Sequence, residues 1–447
     1  MIQRKVILWS VIVALGGFLF GFDTAVISGA EQAIQKYWSL NDVQHGLTIS
    51  IALIGTVFGA FLGRIPADSF GRKSALFIIA IIFLFASLGT ALATNWYIFM
   101  ALRFIGGLGV GASSIIAPVY ISEISPAAAR GRLVVLFQFN IVFGIVIAYL
   151  SNLALVYFMG AGAHDLWRYM LGIMAIPSLL FLLLLRLVPE SPRWLLLKNS
   201  KDLHALQTLQ VINPEGFQQE LESIVSTNEE DAKDPDGAEL FSKRYRFPAM
   251  LAIVFAFFNQ VSGINAIIYY APRIFEMTGL GKSASLTSTV GIGVVNLIFT
   301  MIAIRFIDSI GRRKLMLIGS FGLILTLGLV AWSFYTKSFG GYYITAYLLF
   351  FIGFFAFSQG AVIWVFISEI FPNQVRAKGQ TLGSLTHWVM AAIIAFSFPL
   401  FADKLGGGNT FAFFTGMMVL QLLFVWKIMP ETKGKSLEQI ERTLVGH

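Results

Sequence analysis

The sequence predicts an all-α membrane protein with twelve transmembrane helices in two related halves, and three observations support this fold class. The 447-residue chain is 57% hydrophobic and only 13% charged, which leaves too little polar surface to cover a soluble globule of its size. Twelve apolar runs each reach about 20 residues, the length that crosses a bilayer as a helix. Short motifs of the first half also recur in the second half, in the same order.

The recurring motifs are polar breaks between apolar runs. Asp68 and Arg72 of the first copy return as Asp308 and Arg312 of the second. Three echoes in one order and at nearly one displacement indicate an internal repeat. The motif pairs are GRIPADSFGRK with RFIDSIGRRK, SEISPAAARG with SEIFPNQVRAKG, and the Pro-Glu pairs at 189–190 and 430–431.

The apolar runs divide evenly around one long polar stretch. We predict an N-terminal half at 1–188, a cytoplasmic linker with short surface helices at 189–247, a C-terminal half at 248–429 and a cytoplasmic tail at 430–447. The linker is too short and too polar for a core of its own. Surface helices are expected at 200–211 and 214–227, and a flexible linker at 227–238. The predicted spans are 7–29, 45–65, 74–94, 98–119, 133–156, 168–188, 248–275, 286–307, 314–335, 342–367, 380–401 and 410–429.

The topology follows from the number of spans and from the basic residues. An even number of spans places both termini on one side, and most of the 32 Lys and Arg residues face that side, which predicts cytoplasmic termini. The first run imitates a secretory signal, but it is about twice the usual length and contains Asp23, which favours an uncleaved helix. A multi-pass protein of the plasma membrane is expected, or of the inner membrane in a bacterium.

Composition also bears on the class of partner. The net charge of +8 does not require nucleic acid, because the basic residues occupy short gaps between apolar runs where topology explains them. The chain has no cysteine, which excludes disulfides, thiolate metal sites and a cysteine nucleophile. Only one predicted span contains a histidine deep inside it, and no acidic cluster accompanies it, so we expect neither an enzyme, nor a metal site, nor a cofactor.

Two charged side chains lie deep in the predicted helices, Asp23 in the first and Arg103 in the fourth. An isolated charge there costs at least about 2.5 kcal/mol, so each needs a partner or a water-filled cavity. At 1.5 Å per residue, both fall in the outer half of the membrane and can reach each other. Either the pair locks two helices permanently, or Asp23 takes up a proton in one conformation and releases it in another.

A second set of polar residues in the spans is neutral or aromatic. Buried amides commonly hydrogen-bond neighbouring helices. Amides together with flat aromatic rings also suit a neutral polyhydroxylated ligand, whose hydroxyl groups need both donors and acceptors. The candidate binding residues are Phe20, Gln138, Asn259, Gln260, Asn265, Asn296, Gln359, Trp364, His387 and Trp388.

Glycines in two spans predict different features. Gly106, Gly107, Gly109 and Gly111 in the fourth span favour close helix packing. Gly263 in the seventh lies among polar amides that a lipid-facing helix would not use, which predicts a break there.

The repeated polar motifs place acids and bases at the membrane face where the termini lie. Basic residues there help to set topology, but acids count little toward it, so we predict that ion pairs hold this face shut. The candidate gate residues are Asp68, Arg72, Glu123, Arg130, Asp308, Arg312, Glu369 and Arg376.

These motifs, over about residues 7–441, resemble those of the sugar porters in the major facilitator superfamily. The segments that carry the resemblance are GFDTAVISGA, GRIPADSFGRK, PVYISEISPAAARGR, PESPRWL, QVSGINAIIYYAP, SEIFPNQVRAKG and PETKGKSLEQIE. The resemblance implies two pseudo-symmetric six-helix bundles, the major facilitator fold, and alternating access to a central sugar site. It also implies sugar contacts at Gln138, Gln260, Asn265, Asn296 and Trp388, and proton coupling by Asp23 and Arg103.

The sequence departs from the family pattern near the implied sugar site. Asn259 stands where a second Gln is usual, Gln359 replaces an aromatic residue of a xylose symporter, and His387 replaces an amide. The run before Trp364 also lacks the prolines common in the carriers. These differences leave the identity of the sugar open.

The function expected from the sequence is proton-coupled symport of a hexose or pentose by alternating access. Asp23 stands where facilitative carriers typically have an amide, which favours symport over a uniporter. A membrane sugar sensor is the remote alternative. The expected partners are a sugar, a proton and the lipid bilayer, with the protein acting as a monomer.

Overall fold

The computed structural model describes residues 3–126, 129–198, 203–219, 221–222, 224, 240–339, 342–434 and 440. Within these ranges the regular structure is helical and no strand occurs. The described residues contain twelve helical segments that are long and apolar enough to cross a membrane, six before the central segment and six after it. The predicted fold class, an all-α protein with twelve membrane helices, is confirmed.

The α-helices are numbered here in chain order. They are α1 Arg4–Val26, α2 Glu31–Tyr37, α3 Asp42–Leu62, α4 Arg64–Phe70, α5 Arg72–Leu92, α6 Trp96–Glu123, α7 Arg130–Met159, α8 Leu166–Gly172, α9 Ala175–Leu184, α10 Pro192–Lys198, α11 Leu203–Ile212, α12 Arg246–Gln260, α13 Ile264–Met277, α14 Lys282–Ile310, α15 Arg312–Thr336, α16 Tyr343–Phe357, α17 Gln359–Glu369, α18 Asn373–Lys404 and α19 Gly406–Lys427. A 3-10 turn, Ile27–Gly29, extends the first span beyond α1.

Two spans are interrupted close to residues that the sequence marks as functional. The seventh span divides into α12 and α13 at Gly263, whose φ of 85° lies in the left-handed region that glycine tolerates. The predicted break is therefore confirmed. The tenth span divides into α16 and α17 at Ser358, a break that the sequence did not predict.

Glycines of the fourth span allow close contact with the second span, as predicted. A Cβ atom on Gly111 would lie 2.2 Å from the carbonyl oxygen of Thr56, and one on Gly55 would lie 2.2 Å from that of Phe104. Only a residue without a side chain permits this approach of backbones.

The chain forms two compact units. The first unit contains residues 1–24, 55–148 and 168–237, and the second unit contains 25–54, 149–167 and 238–447. The second unit thus includes two stretches of the first sequence half. In its core, Phe255 of α12 and Phe366 of α17 pack with their ring centroids 5.0 Å apart. The predicted domain boundaries at 188, 247 and 429 stay a prediction.

The linker contains short helices, as the sequence predicted in outline. The helix α11 lies in the first predicted stretch, and it packs Ala205 and Leu209 with Leu196 of α10, which was not predicted. In the second stretch, residues 217–219, 221–222 and 224 are helical. The predicted flexible linker lies outside the described residues.

Candidate functional site

The two deeply buried charges of the first unit form an ion pair. Arg103 Nη1 donates to Asp23 Oδ1 at 2.6 Å, and the residues are only 4% and 6% exposed. Asp23 lies in the last turn of α1 and Arg103 in the second turn of α6, so the depths estimated from the sequence bring them together. Arg103 Nε and Nη2 are buried and have no hydrogen-bond partner among the described residues. Asp23 is therefore the counter-charge that compensates a buried guanidinium.

The first span also lies against the fifth. A Cβ atom on Gly21 would lie 1.8 Å from the carbonyl oxygen of Ile141 in α7. Phe20 in α1 and Gln138 in α7 are both half-buried. No hydrogen bond of the Gln138 amide occurs within the described part of the chain, so its donor and acceptor groups remain available to a ligand.

The break at Gly263 organises a set of hydrogen-bonded polar side chains in the second unit, here called the amide cluster: Asn259, Gln260, Asn265 and His387. Asn265 Nδ2 donates to Gln260 Oε1 at 2.7 Å, across the break. Gln260 Nε2 donates to Asn259 Oδ1 at 2.9 Å and lies 3.2 Å from both ring nitrogens of His387. The three amides are at most 8% exposed. The cluster thus presents donors and acceptors that currently satisfy one another.

Aromatic rings flank the amide cluster. The ring centroid of Trp364 lies 5.0 Å from that of His387, and the centroid of Trp388 lies 4.9 Å from it. Trp388 is 7% exposed, whereas Trp364 is 37% exposed. An apolar ring face therefore remains accessible beside the polar groups.

The side chain of the candidate amide Gln359 makes its contacts outside this cluster. Gln359 Nε2 donates to Gln421 Oε1 at 2.8 Å, and Gln421 Nε2 donates in turn to Ser320 Oγ at 2.8 Å. The backbone carbonyl of Gln359 accepts from Asn259 Nδ2 at 3.3 Å. Gln359 therefore meets the cluster through its backbone, and its side chain is directed toward α19.

Asn296 in α14 accepts a hydrogen bond from Thr300 Oγ1 at 3.4 Å. Asn296 is 8% exposed. It has no hydrogen bond to the amide cluster among the described residues.

The repeated polar motifs converge within each unit. In the first unit, Arg72 donates to both carboxylate oxygens of Glu123 at 3.1 and 3.2 Å and to Asp68 at 3.1 Å. The Glu190 carboxylate accepts from the backbone N–H of Lys73 at 2.9 Å, at the start of α5. All three motifs that the sequence repeats thus meet at one point.

The second unit repeats this arrangement. Arg312 donates to both carboxylate oxygens of Glu369 at 2.6 and 3.1 Å and pairs with Asp308 at 2.9 Å. Glu431 accepts from the backbone N–H groups of Arg312 and Arg313 at 3.0 and 3.1 Å. The helix N-terminus and the carboxylate attract each other in both copies.

The two remaining candidate gate residues bond backbone groups. Arg130 Nε donates to the carbonyl of Ser122 at 3.1 Å, and Arg376 Nε donates to that of Phe371 at 3.3 Å. The carboxylate and arginine pairs described above each join residues of one unit, and the gate role of the eight residues stays a prediction.

Several polar residues of the structure were missed in the sequence. The sequence singled out Asp23 and Arg103 as the charged side chains deep in the predicted helices, and it did not mark Glu31 and His45, which are both fully buried and contact each other. They lie at the ends of predicted spans, where charges are ordinary. Gln421 was also missed, although an amide inside an apolar run is a usable signal.

Comparisons with known proteins all identify sugar transporters as similar to this chain. The family model described as "Sugar (and other) transporter" matches residues 9–444. The chain is 40% identical to the arabinose-proton symporter of Bacillus subtilis, covering 98% of this chain and 94% of that protein. It is 33% identical to the D-xylose-proton symporter of Escherichia coli, covering 97% of this chain and 94% of that protein.

Solved structures of the Escherichia coli xylose transporter XylE resemble this chain over nearly their whole length. A partially occluded inward open form has a TM-score of 0.85 at 32% identity and covers 97% of this chain and 100% of that one. A form bound to 6-bromo-6-deoxy-D-glucose has a TM-score of 0.80 at 32% identity, with coverage of 99% and 100%.

Proposed function

Since this chain belongs to the sugar (and other) transporter family, we propose that it couples the inward movement of a hexose or pentose to a proton carried by Asp23. It is a multi-pass membrane transporter and not an enzyme. The similarity to arabinose-proton and D-xylose-proton symporters supports proton coupling and a monosaccharide substrate. The carrying observation is the buried pair of Asp23 and Arg103.

The pair supports coupling because its two charges depend on each other. An ion pair in a low-dielectric place is tolerated only while both partners are present, and removing one leaves an uncompensated charge. When Asp23 takes up a proton, Arg103 loses its counter-charge while two of its donor nitrogens are already unpaired among the described groups. Protonation therefore favours a conformation in which Arg103 finds other partners or water, which is the link that symport needs.

We assign sugar binding to the amide cluster with Trp364 and Trp388. Each hydrogen bond that the amides now exchange can be replaced by one from a sugar hydroxyl, which both donates and accepts. The ring faces of the two tryptophans suit the CH faces of a sugar. His387, placed between both rings and Gln260, is the residue most suited to select among sugars.

Gln359 fits a positioning role. Its backbone carbonyl holds Asn259, and its side chain is engaged by Gln421. For Phe20, Gln138 and Asn296, sugar contact stays a prediction based on the family resemblance.

The remaining parts of the proposal concern topology and assembly. We propose a monomer in the plasma membrane, or the inner membrane of a bacterium, with both termini in the cytoplasm and two pseudo-symmetric bundles that alternate access. The basic residues near the termini support this orientation.

The test uses purified protein in liposomes with an inward proton gradient and labelled sugars. Wild-type protein is expected to accumulate sugar above its external concentration, and Asp23→Asn is expected to abolish accumulation while retaining exchange of internal for external sugar. Asp165→Asn is the matched control, because that side chain is 54% exposed. Accumulation by Asp23→Asn would overturn the coupling assignment.

Two further outcomes identify the alternatives. A uniporter would equilibrate sugar without changing the pH on sugar addition. A sensor would bind sugar without net flux.

A further inference from the structure

Glu31, the first residue of α2, lies in a buried charged cluster that the proposed coupling pair does not use. Its Oε1 accepts a hydrogen bond from Arg273 Nε at 3.0 Å, and its Oε2 forms an ion pair with Arg273 Nη2 at 2.9 Å. Oε2 also accepts from His45 Nε2 at 2.6 Å. Arg273 Nη2 donates to Gln35 as well. Glu31 and His45 are both 0% exposed, so this acid is fully desolvated and fully engaged.

The hydrogen bonds define the charges in the cluster. Arg273 faces both oxygens of Glu31, one through a hydrogen bond and the other as an ion pair, an arrangement that matches an ionised carboxylate. An ionised carboxylate only accepts hydrogen bonds, so His45 must donate through Nε2. The cluster is then a buried salt bridge with an imidazole that fixes the carboxylate.

The three residues come from both sequence halves. Glu31 follows the first span, His45 lies in the first turn of the second, and Arg273 belongs to the seventh. Because the first span begins at the N-terminus and Glu31 follows it, the cluster lies at the face opposite the N-terminus, here called the outer face.

Neighbouring residues of the second unit pack closely around this cluster. A Cβ atom on Gly46 would lie 2.2 Å from the carbonyl oxygen of Phe396 in α18. The Tyr270 ring lies 6.0 Å from that of His45, and its hydroxyl donates to the carbonyl of Ala395 at 2.9 Å. These contacts bring α3, α13 and α18 together beside the cluster.

We propose that Glu31 and Arg273 form an outer latch, which closes the outer face of the transporter and must separate each time the substrate site opens to that face. His45 is a positioning residue that keeps the Glu31 carboxylate aimed at Arg273. The proposal rests on the proposed alternating access. It also links the latch to coupling, since only the last residues of α1 and one 3-10 turn separate Asp23 from Glu31.

The free energy of the Glu31–Arg273 pair differs between the closed and the open forms. Removing one partner leaves the other buried and unpaired, which is strongly unfavourable. When the outer face opens, water solvates both charges, which lowers the free-energy cost of separating the wild-type pair. This cost is smaller than that of burying one unpaired charge in the closed state of a single variant. Loss of either partner should therefore shift the population toward the open form.

The test exploits the absence of cysteine from the chain. Ser50→Cys places one thiol one turn beyond Gly46, at a residue that is 1% exposed. Labelling by a membrane-impermeant maleimide added at the outer face then reports opening. We expect Glu31→Gln and Arg273→Gln, each in this background, to be labelled at least about tenfold faster than the parent.

Matched controls separate the latch from general loosening. Glu276→Gln removes the neighbouring carboxylate that accepts from Gln32 at 2.9 Å, and it should label at the parental rate. His45→Gln keeps an N–H donor and should label slowly, whereas His45→Phe should label fast. Because both partners act through one contact, the double variant of Glu31 and Arg273 should label no faster than the single variants.

Two labelling results would overturn the proposed latch. Parental labelling of Glu31→Gln and Arg273→Gln, in protein that still exchanges sugar, would overturn the latch. Additive acceleration in the double variant would do the same. Labelling does not require transport, so the two proposals fail separately. Wild-type protein that does not move sugar would overturn the proposed function, and the labelling rates would still test the latch.

Discussion

Gly263→Ala is the substitution whose effect can be worked out most fully from the structure. The residue has a φ of 85°, where an L-residue costs roughly 1–2 kcal/mol relative to glycine. The new Cβ would also lie 2.7 Å from Cδ2 of the Phe414 ring. That ring packs against Phe411 and Phe413, so it has little room to withdraw, and overpacking adds about 1–3 kcal/mol.

The expected loss of stability for Gly263→Ala is therefore about 2–5 kcal/mol. Binding should weaken as well, because the hydrogen bond from Asn265 to Gln260 crosses this break. The assays are thermal unfolding of the detergent-solubilised protein and sugar affinity measured by equilibrium binding.

Gly416→Ala is the matched control, since a Cβ atom there meets nothing within 4 Å. We expect it to match the wild type in both assays. If Gly263→Ala and Gly416→Ala unfold at the same temperature and bind sugar equally, the argument from the left-handed break is refuted.

Two other substitutions test parts of the packing. Gln421→Leu should cost about 1–3 kcal/mol of stability and weaken sugar binding, because it removes the amide that accepts from Gln359 Nε2 and donates to Ser320 Oγ. Unchanged affinity would refute the positioning role of Gln359. Gly111→Ala should lower the unfolding temperature, at a cost of about 1–3 kcal/mol, because its Cβ would lie 2.2 Å from the carbonyl oxygen of Thr56. Wild-type unfolding of that variant would show that the two helices separate freely.

The fold follows from the sequence to a large extent, because hydropathy and helix length are one-dimensional properties. The apolar runs identify the twelve spans since a bilayer requires about 20 apolar residues per helix. The pairing of Asp23 with Arg103 was accessible for the same reason, because depth in a membrane can be counted along each helix at 1.5 Å per residue.

Other contacts could not be obtained in this way. Counting residues gives the depth of a side chain but not the direction in which it points, so Gln359 was grouped with the binding amides although its amide faces Gln421. The break in the tenth span falls at Ser358, a residue that is neither glycine nor proline.

The sequence was sufficient for the membrane fold, the repeat and the family, because each depends on the order and type of residues along the chain. Folding alone brought Glu31, His45 and Arg273 to one point. Their burial depends on which helices become neighbours, and their positions at the ends of spans carry no sign of it, since charges there usually face water.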